Sequence, residues 1–172
     1  MRAFLCFLLL IPAVGCGYHT AGSATHVPAG VRTLAVPVFA NRTLAYHTEV
    51  AFTAAVVREL NIRTRYRVVN SDAKGADAVL HGTILTQTVA PLTYDATSGQ
   101  TASYLVTITA QVVLTAADGR ALYRNDALSF SFHDQYQSTQ DLNGFIQEDP
   151  SAVNRMAREF AQAMVSDMLE SF

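Results

Sequence analysis

One stretch constrains the fold more than any other. From Tyr104 to Thr115, the residues Tyr104, Val106, Ile108, Ala110, Val112 and Leu114 alternate with Thr107, Thr109, Gln111 and Thr115. A period of two over this length specifies a strand. Because one face is apolar and the other rich in hydroxyls, the strand belongs to an antiparallel sheet packed on a core by one side only. Asp118-Gly119 then predicts a hairpin. Leu122 to Phe132 is the returning strand, with Leu128, Phe130 and Phe132 on a common face. Upstream, Val31 to Phe39 places Leu34, Val36 and Val38 on one face. Pro37 lies within it and has no N–H for a ladder, which predicts an edge strand or a bulge there. Tyr66 to Val69 reads as a short strand. Lys74-Gly75 reads as a turn before a strand over Ala78 to Val89, where Leu80 and Ile84 share a face around Gly82. Pro91 to Ala102 reads as a turn-rich connection.

Two segments switch to a helical period. Between Tyr46 and Leu60, the residues Phe52, Val56, Val57 and Leu60 form one stripe, with Arg58 and Glu59 outside it. The second helix starts where Asp149 can cap and Pro150 can occupy the first helical position. Its stripe is Val153, Met156, Ala157, Phe160, Met164 and Met168, read as core. Two amphipathic helices on one face of a mostly antiparallel, mixed sheet of about four strands make an α+β two-layer sandwich. The 172 residues, half of them apolar, suffice for one domain whose core needs neither disulfide nor metal.

The N-terminus carries an address. Arg2 precedes an apolar run from Ala3 to Ile11, then Pro12, Ala13, Val14, Gly15 and Cys16. A helix of that run would cover about 13–14 Å of a hydrocarbon core roughly 30 Å thick, so it reads as a signal peptide and not as a membrane span. Small residues ahead of a Cys resemble the lipobox of bacterial lipoproteins, although Ala13 stands where Leu is usual. Residues 1–15 are thus expected to be removed and Cys16 to carry the lipid attachment. Gly17 in place of Asp favours the outer membrane. Residues 16–30 read as a lipidated flexible tether, and 31–172 as the folded domain.

Chemistry is sparse along the rest of the chain. The formal charge of −2 leaves no basic footprint for nucleic acid. His19, His26, His47, His81 and His133 show no metal-ligand spacing. No nucleophile elbow, phosphate loop or dinucleotide fingerprint occurs, so no catalytic residues, cofactor or metal are expected. Asn41-Arg42-Thr43 matches a glycosylation sequon, which a bacterial lipobox makes irrelevant. Arg63, Arg65 and Arg67 are spaced so that an extended chain would project them on one side, where they could hold phosphate. The other reading is a solvated, charge-guarded strand.

Val36-Pro37-Val38-Phe39-Ala40-Asn41-Arg42-Thr43, then Gly75-Ala76-Asp77-Ala78-Val79-Leu80-His81-Gly82-Thr83-Ile84, then Pro91 through Tyr94-Asp95 to the strand ending at Thr115, resemble the LptE family of lipopolysaccharide-assembly lipoproteins. The resemblance runs from about Gly15 to Arg124, and the last helix agrees in pattern only. It implies a non-enzymatic protein in the outer membrane that plugs and helps assemble an LptD-like β-barrel and assists insertion of lipopolysaccharide. Arg63, Arg65 and Arg67 are the candidates for lipopolysaccharide contact. Two other readings stay open: a regulatory lipoprotein of the peptidoglycan-synthase-activator or curli-export type, and a periplasmic hydrolase. The first needs reach, and a tether of about fourteen residues spans at most roughly 50 Å. The second needs a nucleophile beside a base, and none is visible in the linear sequence.

Overall fold

The computed structural model describes residues 30–45, 48–70, 75–94, 101–134 and 150–171. In chain order the elements are β1 (Thr33–Ala35), β2 (Ala40–Asn41), α1 (Thr48–Arg63), β3 (Arg67–Val69), β4 (Ala78–Tyr94), β5 (Thr101–Ala116), β6 (Ala121–Asp134) and α2 (Pro150–Glu170). The sheet runs β3-β1-β4-β5-β6, with β2 also on β4. The first three strands pair in parallel, β1 with β3 and β4, and β2 with β4. The long strands β4, β5 and β6 form an antiparallel meander. The expected α+β sandwich with a mixed sheet is therefore the observed one.

The sheet has six strands rather than about four, and Pro37 is one reason. The segment expected as one strand over Val31 to Phe39 is split. The Val36 N–H still donates to the Val69 carbonyl at 2.9 Å, but Pro37 has no donor to continue the ladder. The chain steps out and rejoins as β2 farther along β4, where the Arg42 N–H meets the Ile84 carbonyl at 2.9 Å. This corrects two expectations. β1 lies between β3 and β4 instead of at an edge, and Val38 is 60% exposed while Phe39 takes the buried position. The turn-rich connection is also shorter than expected, because β4 runs on to Tyr94 and β5 starts at Thr101. Pro91 is accommodated there at an irregularity in the β4–β5 register, as a proline in a strand requires.

The core lies between the sheet and the two helices. From the sheet come Leu34, Leu80, Ile84 and the even-numbered positions Val106 to Leu114 of β5; from α1 come Phe52, Val56 and Leu60; from α2 come Met156, Phe160, Met164 and Met168. The α2 methionine stripe is thus core. The Phe52 and Phe160 rings, with centroids 4.8 Å apart and tilted by 57°, join the helices, a geometry favourable for aromatic pairs. On β6, the Tyr123 hydroxyl donates to the Asp167 carboxylate of α2, and Asn125 Nδ2 donates to the same oxygen at 3.1 Å. Burial, together with that carboxylate, raises the Tyr123 pKa above its usual value. At the β5–β6 turn Gly119 has φ +87°, the left-handed conformation that a glycine supplies without a steric penalty.

The motifs that carried the resemblance hold one another in place. Asn41 Nδ2 donates to the Ala45 carbonyl at 2.7 Å and to Glu49 Oε2 at 2.9 Å, while its Oδ1 accepts from the Thr43 N–H at 2.8 Å. Asn41-Arg42-Thr43 is therefore a polar turn that leads into α1, a role short amide side chains serve by bonding nearby backbone. Phe39, fixed by a 3.0 Å bond from its N–H to Thr53 Oγ1, lies against Gly82 of β4. A Cβ on that glycine would stand 2.5 Å from the ring. Asp77 accepts from the N–H groups of Arg32 and Thr33 at 2.9 and 2.8 Å, which ties the start of β1 to the start of β4.

Those two donors, Thr33 foremost, hold the Asp77 carboxyl below its ordinary value of 3.8. A group whose folded pKa is depressed adds stability above its unfolded pKa and loses it as the pH falls through the folded one. The Asp77→Asn protein is therefore expected to show a shallower fall in melting temperature than the parent as the pH is lowered below about 4. Thermal scans across that window check it, and parallel curves would remove Asp77 as the cause.

Candidate functional face

The face of the sheet opposite the helices carries the functional candidates. On β5 the buried even-numbered residues turn toward the helices, so Thr107, Thr109, Gln111 and Thr115 turn away, and all four are half-buried. Pairing extends this array sideways: Thr83 of β4 lies opposite Gln111, Thr86 opposite Thr109, and Thr88 opposite Thr107. On the far side, Ser129 of β6 takes the register position beside Thr109, and Ser131 the position beside Thr107. Two rows of three hydroxyl residues, Thr86-Thr109-Ser129 and Thr88-Thr107-Ser131, therefore cross three adjacent strands. Gln111 Nε2 donates to Asp126 Oδ1 at 2.8 Å, and Arg124 pairs with that carboxylate at 3.3 Å, so the array ends in a small charged network.

The sequence pattern disclosed only the β5 part of this array. Thr83 and Thr86 are three apart, and strict alternation puts them on opposite faces. A register shift between Ile84 and Thr86 inserts one extra residue on β4, and such a bulge reverses the phase of everything beyond it. That reversal aligns Thr83, Thr86 and Thr88 on a single face. Leu128 of β6 is brought opposite Ala110 by a comparable shift between Ala110 and Val112.

Chemically, such a face offers hydroxyl and amide groups that both donate and accept. It suits a hydrated contact with a polar surface, in which bridging waters serve nearly as well as direct bonds. His81, also on this face opposite Val113, is exposed. Among the described residues no cluster of three His, Cys, Asp or Glu could hold a metal ion. None of the described helices is long and apolar enough to cross a membrane.

The three arginines do not form the extended row that their spacing suggested. Arg63 is the last residue of α1. Its Nη1 donates to Ser166 Oγ at 2.5 Å and, more weakly, to the Gln162 carbonyl at 3.5 Å, and its Nε lies 3.9 Å from Glu59. It stitches the two helices together. Arg65 in the following loop and Arg67 at the start of β3 are exposed. The helix outruns its apolar stripe by one turn, because the partner that holds Arg63 there lies on α2, far away in sequence. Cys16, the signal segment and the tether lie outside the described residues, as does Asp149, whereas Pro150 is the first residue of α2.

The model of the LptE family, described as lipopolysaccharide assembly, matches residues 31–168, the final helix included. Comparison with curated proteins gave no match. Among solved structures, the hypothetical protein CT253 from Chlamydia trachomatis is similar with a TM-score of 0.53 at 11% identity, over 81% of this chain and 98% of that one. A variant of the PelC dodecamer from Paraburkholderia phytofirmans gives 0.50 at 14% identity, over 80% and 89%. The rare lipoprotein B from Shewanella oneidensis gives 0.44 at 14% identity, over 79% and 95%. At these identities the likeness to the first two concerns the fold alone.

Proposed function

The chain belongs to the LptE family of lipopolysaccharide assembly, and from that membership we propose that it is an outer-membrane lipoprotein that sits within an LptD-like β-barrel, assists its assembly and helps deliver lipopolysaccharide to the outer leaflet. The observation that carries this reading is the hydroxyl face of β4, β5 and β6. The lumen of a membrane barrel is polar and wet, and an array of threonine and glutamine side chains can pack against it without burying unpaired charge. The role asks for shape and surface and requires no catalytic group. Arg65 and Arg67 remain the candidates from the original three for contact with the phosphates of lipopolysaccharide, since Arg63 is engaged between the helices.

Attachment is assigned to Cys16. One acyl chain gives marginal, reversible binding, and two or more give stable anchoring at about 0.8 kcal/mol per buried CH₂. In a gentle detergent extract of native membranes the protein should elute with a large outer-membrane barrel, and the Cys16→Ala chain should move to the soluble or uncleaved fraction. Elution of the parent protein alone would argue against the barrel reading, and continued membrane recovery of Cys16→Ala would argue against the lipid.

A further inference from the structure

The segment that joins β1 to α1 carries a surface that the proposed function does not use. Among the described residues four large hydrophobic side chains are exposed, and three of them belong to this short stretch: Val38 at 60%, Leu44 at 100% and Val50 at 50% exposure. Val38, Ala40 and Arg42 are exposed in alternation with buried Phe39 and half-buried Asn41, so the three lie on one side of the extended chain. Leu44 stands in the bend that follows. Asn41 Nδ2 fastens that bend to the first turn of α1 through its bonds to the Ala45 carbonyl at 2.7 Å and Glu49 Oε2 at 2.9 Å, and Val50 is the next residue of the same turn. Scattered single hydrophobic residues on a surface need no explanation. Here polar bonds hold in place a bend whose crown is apolar, with an exposed arginine beside it.

We propose that this rim, made of Val38, Ala40, Arg42 and Leu44 with Val50 beside them, docks on an anionic lipid leaflet. Three features select a membrane. The apolar groups project from a strand margin and from the crown of a bend, and separate protruding side chains can enter fluid lipid without a complementary pocket. Interfacial segments bury their apolar side chains about 5–10 Å into the boundary between headgroups and acyl chains. An arginine among them lays its stem along the apolar layer and keeps its guanidinium at the phosphates, and Arg42, between Ala40 and Leu44, complements the negative charge of such a leaflet. The third feature is reach. With Cys16 lipidated as proposed, a tether of about fourteen residues spans at most roughly 50 Å, and the chain from Gly30 to Leu44 covers no more than about the same distance. The rim can therefore lie against the leaflet that holds the anchor, and only this reach rests on the reading of Cys16. The contact orients the free lipoprotein on its membrane and is distinct from a seat within a barrel.

The chain contains no tryptophan, so a single introduced indole reports its own surroundings. The full-length lipidated protein, as Leu44→Trp or as Ile62→Trp, is reconstituted into vesicles of phosphatidylcholine and phosphatidylglycerol. Ile62, 71% exposed near the other end of α1, is the control. Both positions are exposed, and matching melting curves confirm that the variants are folded. The Leu44→Trp protein should emit at shorter wavelength and be quenched by brominated acyl chains at least about twofold more strongly than the Ile62→Trp protein, as expected for a side chain below the headgroups. Iodide in the aqueous phase should quench the two in the reverse order. Adding Arg42→Glu to Leu44→Trp, or omitting phosphatidylglycerol, should weaken the lipid quenching, because the charge attraction is lost. Equal lipid quenching at the two positions would mean that the anchor merely keeps the whole surface near the bilayer, and would overturn the proposal, as would the absence of lipid quenching in Leu44→Trp. A shift in Leu44→Trp emission that occurs only when outer-membrane barrel proteins are added would assign the rim to a protein partner and overturn it as well. Pure lipid vesicles contain no barrel, and the mass of the purified chain reports acylation, so a failure of the barrel reading or of the anchor is distinguishable from a failure of the rim.

Discussion

Phe160→Ala is expected to lower the melting temperature by on the order of 10 °C, at about 2–4 °C per kcal/mol for a domain of this size. Phe160 is fully buried, packs its ring on Phe52 across the helix interface and lies in the centre of the α2 core stripe. Deleting a buried phenyl group removes its transfer free energy and leaves a cavity that the surroundings only partly fill, about 3–5 kcal/mol in all. Collapse around the hole is opposed by Phe52, whose ring packs on Phe160, and by the rest of the buried core cluster to which both belong. A thermal melt of the purified variant checks this, and a shift of a degree or two would mean that α2 is only loosely docked.

Gly82→Ala should destabilise through the opposite mechanism. Its Cβ would stand 2.5 Å from Cδ2 and Cε2 of Phe39 and 2.6 Å from Cγ, far inside van der Waals contact. Phe39 is 3% exposed, and its backbone is held by Thr53, so the ring has little freedom to withdraw. Overpacking of this kind costs about 1–3 kcal/mol, occasionally more. The diagnostic result is the coupling: adding Phe39→Leu to Gly82→Ala should recover part of the loss, although Phe39→Leu alone is itself destabilising. Residues in direct contact show such non-additivity, and independent sites do not. Simple addition of the two losses would show that the two family motifs are not in contact.

These two positions also show how far the sequence could be read. The α2 stripe and the β5 alternation were legible because each repeats for several periods with few exceptions, so local pattern and tertiary burial agree. Gly82 was visible only as a break between Leu80 and Ile84; its reason is a ring brought from Phe39, and no local pattern encodes that distance. Pro37 announced an interruption of the ladder but not its outcome, because whether the chain bulges, lies at an edge or steps to a second strand depends on where β4 offers free partners. The hydroxyl face was half legible: β5 displayed it directly, but on β4 a single inserted residue reversed the phase. Arg63 was misplaced because its helical state is secured by Ser166, which lies on the other helix. The resemblance to the family rested on residues whose structural work is now apparent, with Asn41 leading into α1, Phe39 lying on Gly82 and Asp77 clamping β1.

The most direct test of the functional account places a photoreactive phenylalanine analogue at position Thr109, in the centre of the hydroxyl face, or at Glu159 on the exposed side of α2, and irradiates living cells. The account predicts that the Thr109 position yields an adduct with a large outer-membrane β-barrel protein, and more efficiently than the Glu159 position. A barrel adduct from Glu159 with none from Thr109 would contradict the proposed orientation, and the absence of any barrel adduct from either position would contradict the role itself.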